Sequence, residues 1–314
     1  MITPRFRNPE RPERNLPFMK KLLLIINPNA GIRLGRRYLP EMISAFTRAD
    51  YLVSVFVTER RGDAVDFARE HGGDFDLVTA CGGDGSLNEV ITGLIRGGHH
   101  VPMGYIPCGS TNDFAAGLNI PSDPLEACRA VIEGEPVRLD VGCFGADRYF
   151  SYTASFGAFT AVSYSTPQNV KNVLGHAAYI LEGIRSLADI RPIRLRGTAD
   201  GIPFEGDYIF GAVCNSTSLG GVLKLAESQV DMTDGLFESL LIPFPSDLLV
   251  LNQILAALRS KTYEDPHLIF LRASEFIFET HEDLHWTLDG EEAEGKPITV
   301  IRNLPGAISL MLRP

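Results

Sequence analysis

The sequence predicts an α/β protein: an N-terminal parallel sheet flanked by helices, followed by a largely antiparallel, β-rich second domain. Three observations support this. Short apolar runs alternate with helical patterns as far as about residue 137. Loops of small and polar residues follow several of those runs. Beyond residue 138, closely spaced strand patterns and Asp-Gly turns take over.

Lys21–Ile26 is a short apolar run that stops at Asn27-Pro28, which predicts a buried strand leading into a loop. Tyr51–Val57, rich in β-branched and aromatic residues, predicts a second strand. Asp63 is placed to cap a helix through about Glu70. Asp76–Ala80 predicts a third strand, then a glycine loop and a helix from near Ser86 to about Arg96. Pro102–Ile106 predicts a fourth, followed by a loop and a helix from Phe114. Ser122-Asp123-Pro124 opens a further helix to about Ile132. In the second half, strands are expected at Val141–Cys143, Tyr149–Ser155, Ile193–Thr198, Tyr208–Cys214, Phe237–Ile242, Leu268–Glu279, Leu284–Leu288 and Pro297–Ile301. Helices are expected at Gly175–Ile190 and Ser246–Arg259. The division that follows is a flexible basic tail at 1–19, an α/β domain at 20–137 and a β-rich domain at 138–301, with about 302–314 returning to the first domain.

At 314 residues, with 45% hydrophobic and 22% charged, the chain has the composition of an ordinary globular protein. No apolar run approaches the roughly 20 residues that span a bilayer; the strongest, Leu248–Leu258, is interrupted by Asn252 and Gln253. No apolar stretch precedes Lys20, so a secretory signal is not expected. Cys81, Cys108, Cys128, Cys143 and Cys214 are scattered without a Cys-x-x-Cys pair, which fits reduced thiols and a cytoplasmic location. The net charge of −10 argues against nucleic acid as a partner. Residues 1–37 nevertheless hold nine Lys/Arg and two acids. A basic end on an acidic body can orient a protein at an anionic surface; a solvated tail, favoured by Pro4, Pro9, Pro12 and Pro17, is the plainer reading of residues 1–17.

The chemistry concentrates in Cys81-Gly82-Gly83-Asp84-Gly85-Ser86-Leu87-Asn88-Glu89-Val90. Glycines after a strand let the backbone approach a ligand, and the N-terminus of the next helix favours phosphate. Asp84 conflicts with simple anion binding. It points to Mg²⁺-dependent phosphoryl transfer, or else it is only a helix cap. Two further loops lie where a parallel sheet gathers its ligand, beyond the strand C-terminal ends: Asn27-Pro28-Asn29-Ala30-Gly31 and Gly109-Ser110-Thr111-Asn112-Asp113. Ser110 and Thr111 are candidate phosphate donors, and Asp113 either caps the helix from Phe114 or helps hold a cation. Thr58, at the end of the second strand, lies on the same rim. Asp231-Met232-Thr233-Asp234-Gly235-Leu236 reads as a turn with two carboxylates three apart, and Asp289-Gly290-Glu291 as a hairpin turn.

These loops, in this order, resemble the diacylglycerol kinase catalytic fold, which is shared with sphingosine and ceramide kinases and related to the NAD kinase fold. The resemblance covers nearly the whole chain after residue 19 and extends to Asp231–Leu236 and Leu288–Glu291. It implies an ATP-binding cleft touching Asn27–Gly31, Thr58, Gly82–Asn88 and Ser110–Asp113, with γ-phosphoryl transfer to a lipid hydroxyl, most simply diacylglycerol or a related lipid alcohol. It also implies a structural Mg²⁺ at Asp231, Asp234 and the Leu236 carbonyl, and a general base at Glu291 or Asp289 with Asp84 nearby. By the same resemblance the protein visits the membrane surface from the cytoplasm, with Ile32 where relatives carry a lysine and Arg33, Arg36 and Arg37 as substitutes. A homodimer is left open. A kinase of soluble NAD and a non-catalytic nucleotide-binding regulator are the alternatives.

Overall fold

Parallel strands β1 (Lys20–Ile26), β2 (Tyr51–Val57), β3 (Leu77–Gly82) and β4 (Pro102–Pro107) build the first half of the computed structural model, in the spatial order β4-β3-β1-β2. The structure describes residues 19–157, 191–216, 218–219, 223–224, 230–260, 262–263, 265–281 and 283–313. The basic tail and the helix expected at Gly175–Ile190 fall, Met19 apart, outside the described residues.

Alternation along β1 explains the layering. Leu23 and Ile25 pack on one face with α2 (Asp63–His71) and α3 (Asp84–Gly97). Leu22, Leu24 and Ile26 pack on the other with α1 (Leu34–Arg48) and α5 (Pro124–Glu133). A parallel strand covered on both sides has to be apolar throughout, and burial of each such side chain contributes roughly 1.5–3 kcal/mol. Helix α5 begins as its sequence requires: the Asp123 carboxylate accepts from Leu125 N and Glu126 N, and Pro124 occupies the first turn. The short helix α4 (Asp113–Gly117) follows β4.

Helix α1 has no counterpart in the sequence expectations. It starts from Arg33 in the left-handed region, has no side-chain cap and carries Pro40, all features that disguise a helix. Packing of fully buried Met42 and Phe46 on the sheet outweighs them.

The second half comprises β5 (Glu135–Phe144), β6 (Arg148–Phe150), β7 (Thr153–Gly157), β8 (Ile193–Ala199), β9 (Ile202–Cys214), β10 (Ser218–Leu219), β11 (Leu223–Lys224), β12 (Phe237–Pro243), α6 (Leu248–Ser260), β13 (Ile269–Ala273), β14 (Glu275–Glu279), β15 (His285–Leu288), β16 (Glu291–Glu294) and β17 (Ile298–Leu312). Its pairings are antiparallel. The single strand expected over Leu268–Glu279 is broken at Ser274, because the Asp200 carboxylate captures Ser274 N, Ser274 Oγ and Glu275 N. The strand expected at Pro297–Ile301 is much longer. As β17 it pairs antiparallel with β14 and β5 and parallel with β4 through Ser309 and Leu310, so one sheet runs through both halves. Among the described residues, no helix is long and apolar enough to cross a membrane.

Candidate active site

Register sets the site's position. Ile26 lies beside Val57 and Cys81, and Gly82 beside Pro107, so the loops after β1, β2, β3 and β4 emerge level with one another. They then pack backbone against backbone. A Cβ on Gly109 would lie 2.5 Å from the Gly83 Cα, and one on Gly31, held at φ +52°, 2.5 Å from the Cys108 carbonyl oxygen. Side chains lock the remainder. Asn27 accepts from Asn29 N at 3.0 Å and donates to Ser86 Oγ at 3.2 Å, tying the first loop to the glycine loop. Asn112, itself left-handed, accepts from Gly109 N and donates to Gly109 O. Thr58 donates its hydroxyl to Ile26 O.

Helix α3 begins at Asp84, two residues before the predicted start, so its first turn leaves amide N–H groups without intrahelical acceptors, facing the rim. Asp84 itself is directed elsewhere. Its oxygens accept from Asp113 N at 3.0 Å and Phe114 N at 3.2 Å, capping α4 and clamping the two loops together. Burial pushes its carboxyl up, while those hydrogen bonds oppose the shift. In this arrangement the Asp84 carboxylate positions the loop after β4. Leu87 and Asn88, also expected at the nucleotide, point elsewhere. Leu87 is fully buried in the core, and its amide donates to Gly83 O. Asn88 turns away from the phosphate rim and donates to Tyr149 O and Asp289 Oδ2. Pro28 and Thr111 are half-buried and Ser110 is exposed on their loops, outside the lining of the cleft described next.

The rim bounds a cleft of about 460 Å³ lined by Asn27, Asn29, Ala30, Gly31, Thr58, Gly83, Gly85, Ser86 and Gly109, with Glu291 on the far side. A second cavity of about 190 Å³ abuts it, reaching Asn88, Arg96, Arg148, Tyr149 and Asp289. Arg61, Gly85, Glu89 and Glu291 line both. A Cβ on Gly85 would come within 3.4 Å of Glu291 Oε1, so glycine there keeps the partition thin.

The two carboxylates of the second half differ in environment. Asp289 is buried and accepts from Ser151 N, Tyr152 N, Thr153 N and Asn88 Nδ2. Burial lifts it to about 6 although those four bonds oppose the shift, and they occupy its lone pairs. Such a group orients its surroundings. Glu291, two residues on, is half-exposed in the partition, and its carboxylate pairs with the Arg61 guanidinium at 2.5 Å.

Arg61 and Glu89 were not singled out from sequence. Glu89 accepts from Gly62 N at 2.9 Å, and burial raises its carboxyl. The signal for Glu89 was its place within the glycine motif; Arg61 offered none, because its partner lies 230 residues away.

The proposed metal ligands do not form an open donor set. Asp231 accepts from Thr233 N and Oγ1, and Asp234 accepts from Leu236 N and from Arg272 Nη2 at 2.6 Å. Arg272 also reaches buried Glu238 at 3.0 Å. A guanidinium thus takes one of the two carboxylates that the resemblance assigned to the ion. Among the described residues, no group of three His, Cys, Asp or Glu is placed to hold a metal.

Parallel sheet, glycine-built rim and a facing carboxylate define a kinase-type phosphotransferase. Residues 21–144 match the diacylglycerol kinase catalytic domain, and residues 153–312 match the YegS C-terminal NAD kinase beta sandwich-like domain. A diacylglycerol kinase of Bacillus subtilis strain 168 is 34% identical over 275 residues, 87% of this chain and 90% of that protein. One from Staphylococcus aureus strain JH9 is 34% identical over 274 residues, 87% and 86% of the respective chains. In fold, the chain is similar to a crystal structure of a diacylglycerol kinase from Bacillus anthracis strain Sterne, with a TM-score of 0.73 over 95% of this chain and 98% of that one, at 21% identity. The chain belongs to the diacylglycerol kinase family, a family of lipid kinases.

Proposed function

We propose that the protein transfers the γ-phosphoryl group of ATP to the hydroxyl of diacylglycerol or a closely related lipid alcohol. The observation that carries this reading is the thin shared wall: Glu291 lines both a phosphate-type cleft and the cavity beside it. ATP would occupy the larger cleft, its phosphates against the glycine rim and the first turn of α3. The acceptor hydroxyl would enter through the smaller cavity, and Glu291 would take its proton. Asp289 holds the turn that presents Glu291, and Asn88 braces Asp289. Glu59, Glu89 and Ser86 line the larger cleft with oxygen donors that suit a hard divalent ion arriving with the nucleotide. When bound, Mg²⁺ neutralises phosphate charge.

Ile32, 83% exposed, projects beside the exposed Arg33, Arg36 and Arg37 at the start of α1. An apolar tip ringed by arginines suits an anionic lipid surface, which supports peripheral contact with the membrane.

The test is a lipid panel. Purified protein with labelled ATP, Mg²⁺ and mixed micelles should label diacylglycerol more than phosphatidylglycerol, a sphingoid base or undecaprenol. Labelling of soluble NAD without micelles would replace this reading. ATP binding with no transfer to any acceptor would make the chain a nucleotide-binding regulator.

A further inference from the structure

Arg61 stands at the partition between the two cavities, and its surroundings are well fixed. The backbone around it is pinned on both sides. Glu59 N and Arg60 N both donate to Asp63 Oδ2 at 2.9 Å, and Gly62 N donates to Glu89 Oε1 at 2.9 Å. The Arg60 side chain is held by Asp63 Oδ1. Arg61 is left as a long arm on a rigid base, its side chain 74% exposed, reaching across the cleft to Glu291.

Of the four residues that line both cavities, Arg61 is the cation. A phosphoryl group passing from one cavity to the other has to cross that partition. A guanidinium offers forked donors to phosphate oxygens and is attracted to their growing charge. Its present partner creates a second consequence. While Arg61 holds Glu291, the guanidinium occupies carboxylate oxygen Oε2, which is then not open to the acceptor hydroxyl.

We propose that Arg61 is a two-position catalytic residue: it latches Glu291 while the cleft is empty and moves to the γ-phosphoryl group when ATP fills it. The inference rests on the kinase reading and deepens it. In the transfer step the lipid oxygen forms a bond to the γ-phosphorus as the bond from that phosphorus to the β,γ-bridging oxygen breaks. The hydroxyl proton goes to Glu291, ADP leaves with the bridging oxygen, and Arg61 balances charge on the transferring group. The arrangement keeps the base restrained until nucleotide is present.

The experiment compares ATP with ADP, since Arg61 is assigned to the γ-phosphate alone. Calorimetry with Mg²⁺ should show Arg61→Gln weakening ATP binding about 5–10-fold while ADP binding stays within twofold. Its kcat on diacylglycerol micelles should fall on the order of 100-fold or more, with Arg61→Lys recovering part of the loss. Glu291→Gln, which opens the latch and keeps the guanidinium, should bind ATP as tightly as wild type or a few-fold more tightly. Equal weakening of ATP and ADP in Arg61→Gln, or unchanged kcat, would overturn the proposal and leave Arg61 a strap. Should wild-type protein phosphorylate no lipid, the kinase reading fails on that result alone, and the ATP–ADP comparison still decides the role of Arg61.

Discussion

On the rim formed after β1, β3 and β4, backbone packs on backbone, and the contacts join short loops whose order along the chain is simple. On the facing wall, one carboxylate is presented by side chains and amides drawn from residues 88, 149 and 151–153, more than 130 positions from residue 289. The difference has a functional meaning. On the proposed reading, a rim made of glycine and amide groups recognises what every nucleotide triphosphate shares, and a wall made of assembled side chains decides what happens to it. Damage to the rim should appear in nucleotide affinity, and damage to the wall in turnover.

The largest expected effect tests the wall. Glu291→Gln removes the proton acceptor while keeping size and position, so kcat should fall about 10²- to 10⁴-fold with no weakening of ATP binding. Steady-state kinetics beside calorimetry would separate the two. If kcat survives and affinity collapses, the assignment of chemistry to the wall is wrong.

Next is the rim. Gly109→Ala places a methyl group 2.5 Å from the Gly83 Cα, which is backbone and cannot rotate away, and 2.7 Å from Asn112 Oδ1. Overpacking of this kind costs about 1–3 kcal/mol, which corresponds to roughly a 10- to 100-fold loss of ATP affinity if the strain is relieved by opening the rim. Little change in kcat at saturating ATP is expected. An affinity equal to wild type would show that the rim yields easily and that the glycines are not what shapes it.

This contrast also explains what could be read in advance. The parallel strands and the three rim loops were legible because apolar runs and glycine-rich punctuation are local signals. The fold class followed from their alternation. Asp84 illustrates the limit: its awkward charge was visible, but its two acceptors' partners, Asp113 N and Phe114 N, lie on another loop and only the assembled sheet brings them within reach. Choosing between Asp289 and Glu291 required knowing which is buried under four donors, and no spacing within Asp289-Gly290-Glu291 encodes that. Helix α1 was hidden by Pro40 and an uncapped start, since its stability comes from the sheet face it covers. Arg272 was missed for the same reason as Arg61: its partners, Asp234 and Glu238, are 38 and 34 residues away.

The smallest expected effect concerns that last cluster, away from both cavities. Glu238 is completely buried, its Oε2 has no hydrogen-bond partner among the described residues, and burial pushes its carboxyl from 4.5 up to about 7 although Arg272 opposes the shift. With the folded value above the unfolded one, the native state retains a proton that the unfolded chain gives up. The associated stability is complete below 4.5 and is lost as pH rises through about 7. Arg272→Gln removes the opposing charge and raises Glu238 further, so the variant's deficit should widen with pH. Urea melts should show about 1 kcal/mol near pH 5, where Glu238 is protonated in both proteins, and about 2–3 kcal/mol near pH 8, the half-exposure of Arg272 tempering the larger figure. A deficit constant across pH would mean that Glu238 is not the titrating group. The same melts test the cation question. Because Arg272 already holds Asp234, added Mg²⁺ without nucleotide should leave the wild-type Tm unchanged and raise that of Arg272→Gln. A rise in the wild type would return Asp231, Asp234 and Leu236 to the role of a metal site in spite of the guanidinium.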